Sequence, residues 1–135
     1  MNPQGFPVLI ARLLLALMFL LAGLSKFGGL EGTAAYIASA GLPLAQLLAF
    51  ATAALEVVGA VMLIVGWQAR WAALALAAFT LLATLLFHNY WALPADQQMT
   101  QQLMFLKNIA VVGGLLMVFA FGAGRVSLDQ RRAAA

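Results

Sequence analysis

The chain has 135 residues and a net charge of +3, and it is 65% hydrophobic with only 8% charged residues. Soluble domains carry about 25% charged residues, so this composition excludes a water-soluble fold. It has no cysteine and one histidine, which excludes disulfides, thiolate metal sites and a haem held by two histidines. We therefore expect no metal and no haem, and the few positive charges give no reason to expect nucleic-acid binding.

Four apolar stretches are each long enough to cross a bilayer as a helix, which takes about 20 residues. We place the spans at about 7–27, 44–66, 70–91 and 101–122. The segment between the first two spans is too polar and glycine-rich to cross, and we predict a short interfacial helix at about 31–40. The predicted fold class is all-α, an integral membrane four-helix bundle that forms a single transmembrane domain over the whole chain.

The first span has an alternative interpretation as a signal peptide, because its apolar core is similar to one. The uncharged start and the lack of a small-residue cleavage motif favour a retained span. Four spans place both termini on one side of the membrane, together with most of the basic residues. These are Arg70, Arg125, Arg131 and Arg132. The positive-inside rule then predicts that both termini are cytoplasmic.

Three ionisable residues, Arg12, Glu56 and Lys107, fall inside the predicted spans. A charge near the bilayer centre costs roughly 2.5–3.5 kcal/mol, and such residues usually mark a functional site. Lys26 and His88 lie near the ends of two of the spans, the first and the third. These residues are the best guide to function in the sequence.

These residues differ in their depth in the bilayer and in the direction in which their side chains lean. By the helical rise, Glu56 lies near the bilayer middle, Lys107 roughly 7 Å towards the outside and Arg12 roughly 7 Å towards the cytoplasm. Helical side chains lean towards their own N-terminus, so Glu56, His88 and Lys26 converge in the outer half. We predict a polar pocket there, lined by Lys26, Glu56, His88, Lys107 and Asn108. Its excess of positive charge suits an anionic or carbonyl-bearing ligand.

Each side chain has a candidate role in that pocket. Glu56 and His88 are the candidate catalytic residues, because a carboxylate and an imidazole can each carry a proton. The candidate ligand-binding residues are Lys26, Lys107 and Asn108. A purely structural interpretation stays open: Glu56 and Lys107 as a buried ion pair, His88 as a polar cap, and Lys26 reaching the interface. Arg12 is assigned to a structural or ion-pairing role.

An ordered set of motifs over nearly the whole chain resembles the DoxX family of small bacterial membrane proteins. The motifs are R-x6-F-x3-G-x2-K at Arg12 to Lys26, Tyr36 followed by Gly41-Leu42-Pro43, E-x2-G-x3-L-x2-G at Glu56 to Gly66, His88, F-x-K-N at Phe105 to Asn108, Gly113-Gly114-Leu115 and G-x-G-R-x-S-L-D at Gly122 to Asp129. The resemblance implies a four-helix protein of the bacterial inner membrane. It also implies a link to quinone-connected sulfur oxidation or oxidative-stress complexes, as a subunit beside a protein partner.

Three functions fit these observations. The first is a redox-associated subunit that binds a quinone or similar small molecule in the pocket, with electrons supplied by a partner. The second is a small proton-coupled transporter that uses Glu56. The third is an assembly protein whose polar residues only fix the packing. The glycine and alanine content also favours a homo-oligomer, and membrane lipid is an expected contact in every case.

Overall fold

The computed structural model describes residues 5–134, which contain α-helices and one short 3-10 turn and no strand. The helices are α1 (Gly5–Gly28), α2 (Leu30–Ser39), α3 (Ala45–Val65), α4 (Ala69–Phe87), α5 (Ala95–Phe121) and α6 (Leu128–Ala133). The 3-10 turn, Tyr90–Ala92, precedes α5. Four of these helices are long and apolar enough to cross a membrane, namely α1, α3, α5 and the stretch from α4 to the 3-10 turn. The all-α, four-span prediction is confirmed.

The four long helices pack in a sequential order, with α1 against α3, α3 against α4 and α4 against α5. Their core is built largely from alanines, including the fully buried Ala16, Ala53, Ala60 and Ala73. Small residues let helix backbones approach closely, and this close packing drives association where the lipid removes the usual hydrophobic effect. The α1–α5 contact that would close the ring is much smaller than the others, so the bundle has an open seam between these two helices.

The short helix α2 forms where the sequence predicts an interfacial helix. It packs on α3 through a small cluster that includes Ala34, Ile37 and Ala49. Tyr36 stacks on Phe87 at the end of α4, with ring centroids 4.9 Å apart. The helix therefore covers one end of the bundle, which we call the α2 end, and the other is the α6 end.

The third and fourth long helices have different bounds from the predicted spans. The α-helix α4 ends at Phe87, and the backbone N–H of His88 donates to Thr84 O at 2.9 Å as the last bond of the helix. The helix α5 begins at Ala95, directly after Pro94, six residues before the predicted span. The polar segment 96–102 is helical because glutamine and methionine favour helix even where the sequence is too polar to span.

Large apolar side chains cover the outside of the bundle. Leu14, Leu21, Val58, Leu82 and Leu106 are all exposed, each on a long helix. A surface of this kind is stable only in contact with lipid, because hydrocarbon rather than water is the matching solvent for it. The predicted lipid contact therefore follows from the surface of the four long helices.

Candidate functional site

A cavity of about 370 Å³ lies at the α2 end of the bundle. Its walls come from α1, α2, α3 and α4, with one residue of α5 and the residue that follows α4. Most of the lining is apolar or aromatic, and the ionisable or amide-bearing members are Lys26, Glu56, His88 and Asn108. The structure thus brings together four of the five residues that the sequence predicts for the pocket.

Lys26 and Glu56 form an ion pair on the cavity wall. The Lys26 Nζ donates to both carboxylate oxygens of Glu56, at 2.7 Å and 2.6 Å. The Glu56 side chain is 6% exposed and that of Lys26 is 28% exposed. Two opposite charges in contact carry no net charge, which makes the pair tolerable inside a membrane where either charge alone is expensive.

Close contact between α1 and α3 makes this pair geometrically possible. At Gly23, an added Cβ would lie 3.0 Å from the Glu56 Cβ and 2.7 Å from the Val57 Cγ2. A side chain at this position would push the helices apart. Lys26 follows one turn later on the same face of α1 and reaches Glu56 across the contact.

Thr80 lines the same cavity and has a buried hydroxyl. The residue is 6% exposed, and its Oγ1 has no hydrogen-bond partner within the described part of the chain. One turn later, the Thr84 hydroxyl donates to Thr80 O at 2.6 Å, and Thr84 does not line the cavity. An unpaired buried hydroxyl costs about 1–3 kcal/mol, so Thr80 is a polar group that a ligand would satisfy.

His88 and Asn108 complete the polar part of the cavity. The His88 Nδ1 lies 2.8 Å from the Gln101 Oε1, which can only accept, so this ring nitrogen is the donor in the pair. This bond holds the imidazole between the end of α4 and the first half of α5. Asn108 is half-buried on α5 and lines the cavity.

Lys107 is the one predicted pocket residue that the structure places elsewhere. It is exposed on α5 and does not line the cavity, and the partner of Glu56 is Lys26. Neighbouring residues of an α-helix point about 100° apart, and here Asn108 faces the cavity while Lys107 is exposed. The cavity consequently has no excess positive charge, in contrast to the sequence prediction.

A model of a known protein family covers the part of the chain that forms most of the cavity. The family model DoxX matches residues 7–89, which is more than half of the chain. The chain belongs to the DoxX family. The matched region contains Lys26, Glu56, Thr80 and His88, whereas Asn108 lies beyond it.

Relatives of this DoxX protein include two proteins of Escherichia coli (strain K12). The chain is 33% identical to inner membrane protein YphA, over 92% of this chain and 89% of YphA. It is 36% identical to inner membrane protein YqjF, over 91% of this chain and 89% of YqjF. A shorter match, 39% identical over 46% of this chain and 45% of the relative, joins it to CatD of Bacillus subtilis (strain 168), which is provisionally named an oxidoreductase. No solved structure matches the chain.

Arg12 lies at the opposite end of this DoxX bundle. It is 1% exposed, and its guanidinium donates to three backbone carbonyls: Ala123 O, Val126 O at 2.8 Å and Ile64 O at 3.4 Å. Arg12 thus ties α1 to the end of α3 and to the segment that follows α5. It is too distant along α1 to take part in the cavity.

The first turn of α6 clamps the α3–α4 turn. The Asp129 carboxylate accepts from the backbone N–H groups of Gln68, at 2.7 Å, and Ala69, at 3.0 Å. The Asp129 N–H in turn donates to Gly66 O at 2.9 Å. Gly66 has φ +68°, and an added Cβ would lie 2.5 Å from the Ser127 Cβ, so the close approach requires glycine.

Sequence reasoning did not find this clamp or the free hydroxyl of Thr80. The signal for the clamp was present, because Asp129 lies in the terminal motif and Gly66 ends the motif of α3. Hydropathy shows only that the tail is outside the membrane. Nothing in the sequence distinguishes Thr80 from Thr84, since both are threonines one turn apart on the same helix face.

Proposed function

We propose that this DoxX-family protein binds a quinone-type molecule in the cavity at the α2 end, as the membrane subunit of a redox complex. The observation that carries the proposal is the buried, unpartnered hydroxyl of Thr80 on the wall of a mainly apolar cavity. A ligand carbonyl that accepts from this hydroxyl would remove the cost of leaving it unpaired.

The size and lining of the cavity support a ligand of this class. A volume of about 370 Å³ falls within the range of about 300–1,000 Å³ that is usual for small-molecule sites. Phe79, Phe87 and Tyr36 supply aromatic surface, and a flat ring packs well on such side chains. The hydroxyl of Thr80 and the amide of Asn108 offer hydrogen-bond donors for carbonyl oxygens.

The ion pair favours a neutral ligand over an anionic or cationic one. The Lys26 Nζ has three donor hydrogens, and the carboxylate of Glu56 takes two hydrogen bonds from it. The remaining hydrogen is available to a carbonyl. Because the charges of the pair cancel, a charged ligand would enter this part of the bundle without a counter-charge, which is costly in a medium of low dielectric constant.

Reduction of a quinone to a quinol consumes two electrons and two protons. Glu56 and His88 are the groups we assign to proton movement between the cavity and its surroundings. The electrons would come from a redox partner protein, and the similarity to CatD supports this redox association.

The exposed Lys107 in the middle of α5 supports a protein contact on that face, because an unpaired ammonium facing lipid is unfavourable. The names of YphA and YqjF support placement in the inner membrane, and the positive-inside rule supports cytoplasmic termini.

A matched pair of threonine variants tests the proposal. We expect Thr80→Val to weaken binding of a short-chain quinone to the protein in nanodiscs by about three- to ten-fold, the equivalent of one hydrogen bond. Thr84→Val is the control, because the Thr84 hydroxyl is buried on the same helix but bonds to its own backbone. Equilibrium binding by tryptophan fluorescence quenching would give both affinities. Equal affinities for the two variants, or no binding to the unmodified protein, would reject the proposal.

A further inference from the structure

A second, apolar groove follows the open seam between α1 and α5, in the half of the bundle that contains α6. It has a volume of about 900 Å³ and runs along α1 from Pro7 to Met18. Eleven residues of helix correspond to roughly 16 Å, close to half of a hydrocarbon core of about 30 Å. The groove therefore has the length of one leaflet of the bilayer.

At its α6 end the groove adjoins a polar pocket of about 410 Å³. Phe121 and Gly122 line both spaces, so the groove and the polar pocket are direct neighbours. The polar pocket is lined by the side chains of Arg70 and Arg125. The apolar groove, which has the length of one leaflet, thus lies next to a pocket lined by two arginines.

These two arginines have no carboxylate partner within residues 5–134. The Arg70 Nη2 donates to Ala120 O at 3.1 Å. Asp129 also lines the polar pocket, and both of its oxygens already accept from backbone N–H groups. Two guanidinium groups and one carboxylate leave one positive charge in excess, which a single phosphodiester would neutralise.

We propose that the groove and the polar pocket together bind an anionic phospholipid, with its phosphate between Arg70 and Arg125 and one acyl chain along the α1–α5 seam. Basic pockets between membrane helices are suited to anionic headgroups. Trp71 lines the same pocket and is 63% exposed, as expected of an aromatic residue at headgroup level. A second copy of this chain suits the site less well, because an apolar helix in the groove would leave the arginines without an anion.

Native mass spectrometry of the purified protein, titrated with dioleoyl phosphatidylglycerol or dioleoyl phosphatidylcholine, tests this site. We expect phosphatidylglycerol to bind about ten-fold more tightly than phosphatidylcholine, and the double variant R70Q/R125Q to remove that preference. The control is R131Q/R132Q, which loses the same charge from α6 and should keep the preference. Neither Arg131 nor Arg132 lines the groove or the polar pocket.

A variant that keeps both arginines tests the groove itself. Ala11 is exposed and lines the groove, so Ala11→Phe should fill it and reduce binding of both lipids. Ala75→Phe is the control, since Ala75 is exposed on α4 outside both spaces. Equal binding of the two lipids to the unmodified protein would overturn the proposal, as would equal losses in R70Q/R125Q and R131Q/R132Q. A change in oligomer mass caused by Ala11→Phe, with lipid binding unaltered, would overturn it in favour of a second copy.

Discussion

At the scale of single residues, the site combines an ion pair, Lys26 with Glu56, and a hydroxyl without a hydrogen-bond partner, that of Thr80. Glu56 receives both of its hydrogen bonds from Lys26, whereas the Thr80 hydroxyl has no partner in the described chain. The pair holds α1 and α3 together, and it leaves the cavity electrically neutral. The hydroxyl has no such structural use, which is why we assign it to a ligand.

Removal of one member of the ion pair should lower the free energy of unfolding more than removal of both members. We expect Lys26→Met to reduce the free energy of unfolding by about 3 kcal/mol, because it leaves the carboxylate of Glu56 buried without a counter-charge. The double variant K26M/E56L should recover most of this loss. The effect is measured by unfolding the two variants in mixed micelles. The control is Glu31→Gln, at an exposed acidic residue of α2. Additive losses in the double variant would contradict the assignment.

The convergence of Lys26, Glu56 and His88 on one cavity could be predicted from the sequence. Hydropathy gives the depth of each residue, and the lean of helical side chains towards the N-terminus gives their direction. The position of Lys107 could not be predicted, since it depends on the rotation of α5 about its own axis. A rotation of α5 by about 100° would bring Lys107 to the face that Asn108 occupies and turn Asn108 away from the cavity. The state of the Thr80 hydroxyl also depends on contacts that no sequence pattern specifies.

At the scale of helices, two kinds of contact fix the frame of the site. The α3–α4 contact depends on Gly59, where an added Cβ would lie 2.9 Å from Cγ and Cδ1 of Leu76. The α3–α4 turn is held by the Asp129 carboxylate of α6, which accepts from the N–H groups of Gln68 and Ala69. The Arg12 guanidinium of α1 also donates to Ile64 O near the end of α3. Together they set the spacing of the helices that carry Glu56 and Thr80.

A pair of glycine substitutions tests the α3–α4 contact. Gly59→Ala should lower the free energy of unfolding by about 1–3 kcal/mol, because the buried Leu76 side chain must move. Gly113→Ala is the matched control, since an added Cβ there meets nothing within 4 Å. It should be neutral or slightly stabilising, because alanine favours helix over glycine. Thermal unfolding in detergent compares the two, and equal effects would show that α3 and α4 do not pack closely at Gly59.

The tail clamp can be tested with Asp129→Ala. The variant removes the acceptor of the first N–H groups of α4, at an expected cost of about 1 kcal/mol. Hydrogen exchange at the amides of Gln68 and Ala69 should accelerate, and the segment after α5 should become more sensitive to protease. Arg132→Ala, at an exposed position of α6, is the control. Unchanged exchange at both amides would rule out the clamp.

At the scale of the whole molecule, the bundle is asymmetric from one end to the other. The α2 end contains the cavity, with a covering helix and an ion pair. The α6 end is held by the Arg12 guanidinium, which donates to backbone carbonyls, and by the Asp129 carboxylate, which accepts from backbone N–H groups. Hydropathy predicts the number of spans, because it reports burial in lipid. It does not predict this structural difference between the two ends. The segments that create the difference, α2 and α6, are too short and too polar to be detected as spans.

We propose the cavity at the α2 end as the ligand site of this protein. Photoaffinity labelling with an azidoquinone, followed by mass spectrometry of the labelled peptides, tests it most directly. We predict labelling of α2 and of α4 around Tyr36, Phe79 and Phe87, with competition by unlabelled short-chain quinone and loss of label in Thr80→Val. Labelling that maps to the α1–α5 groove, or that is unaffected by the competitor, would contradict the claim.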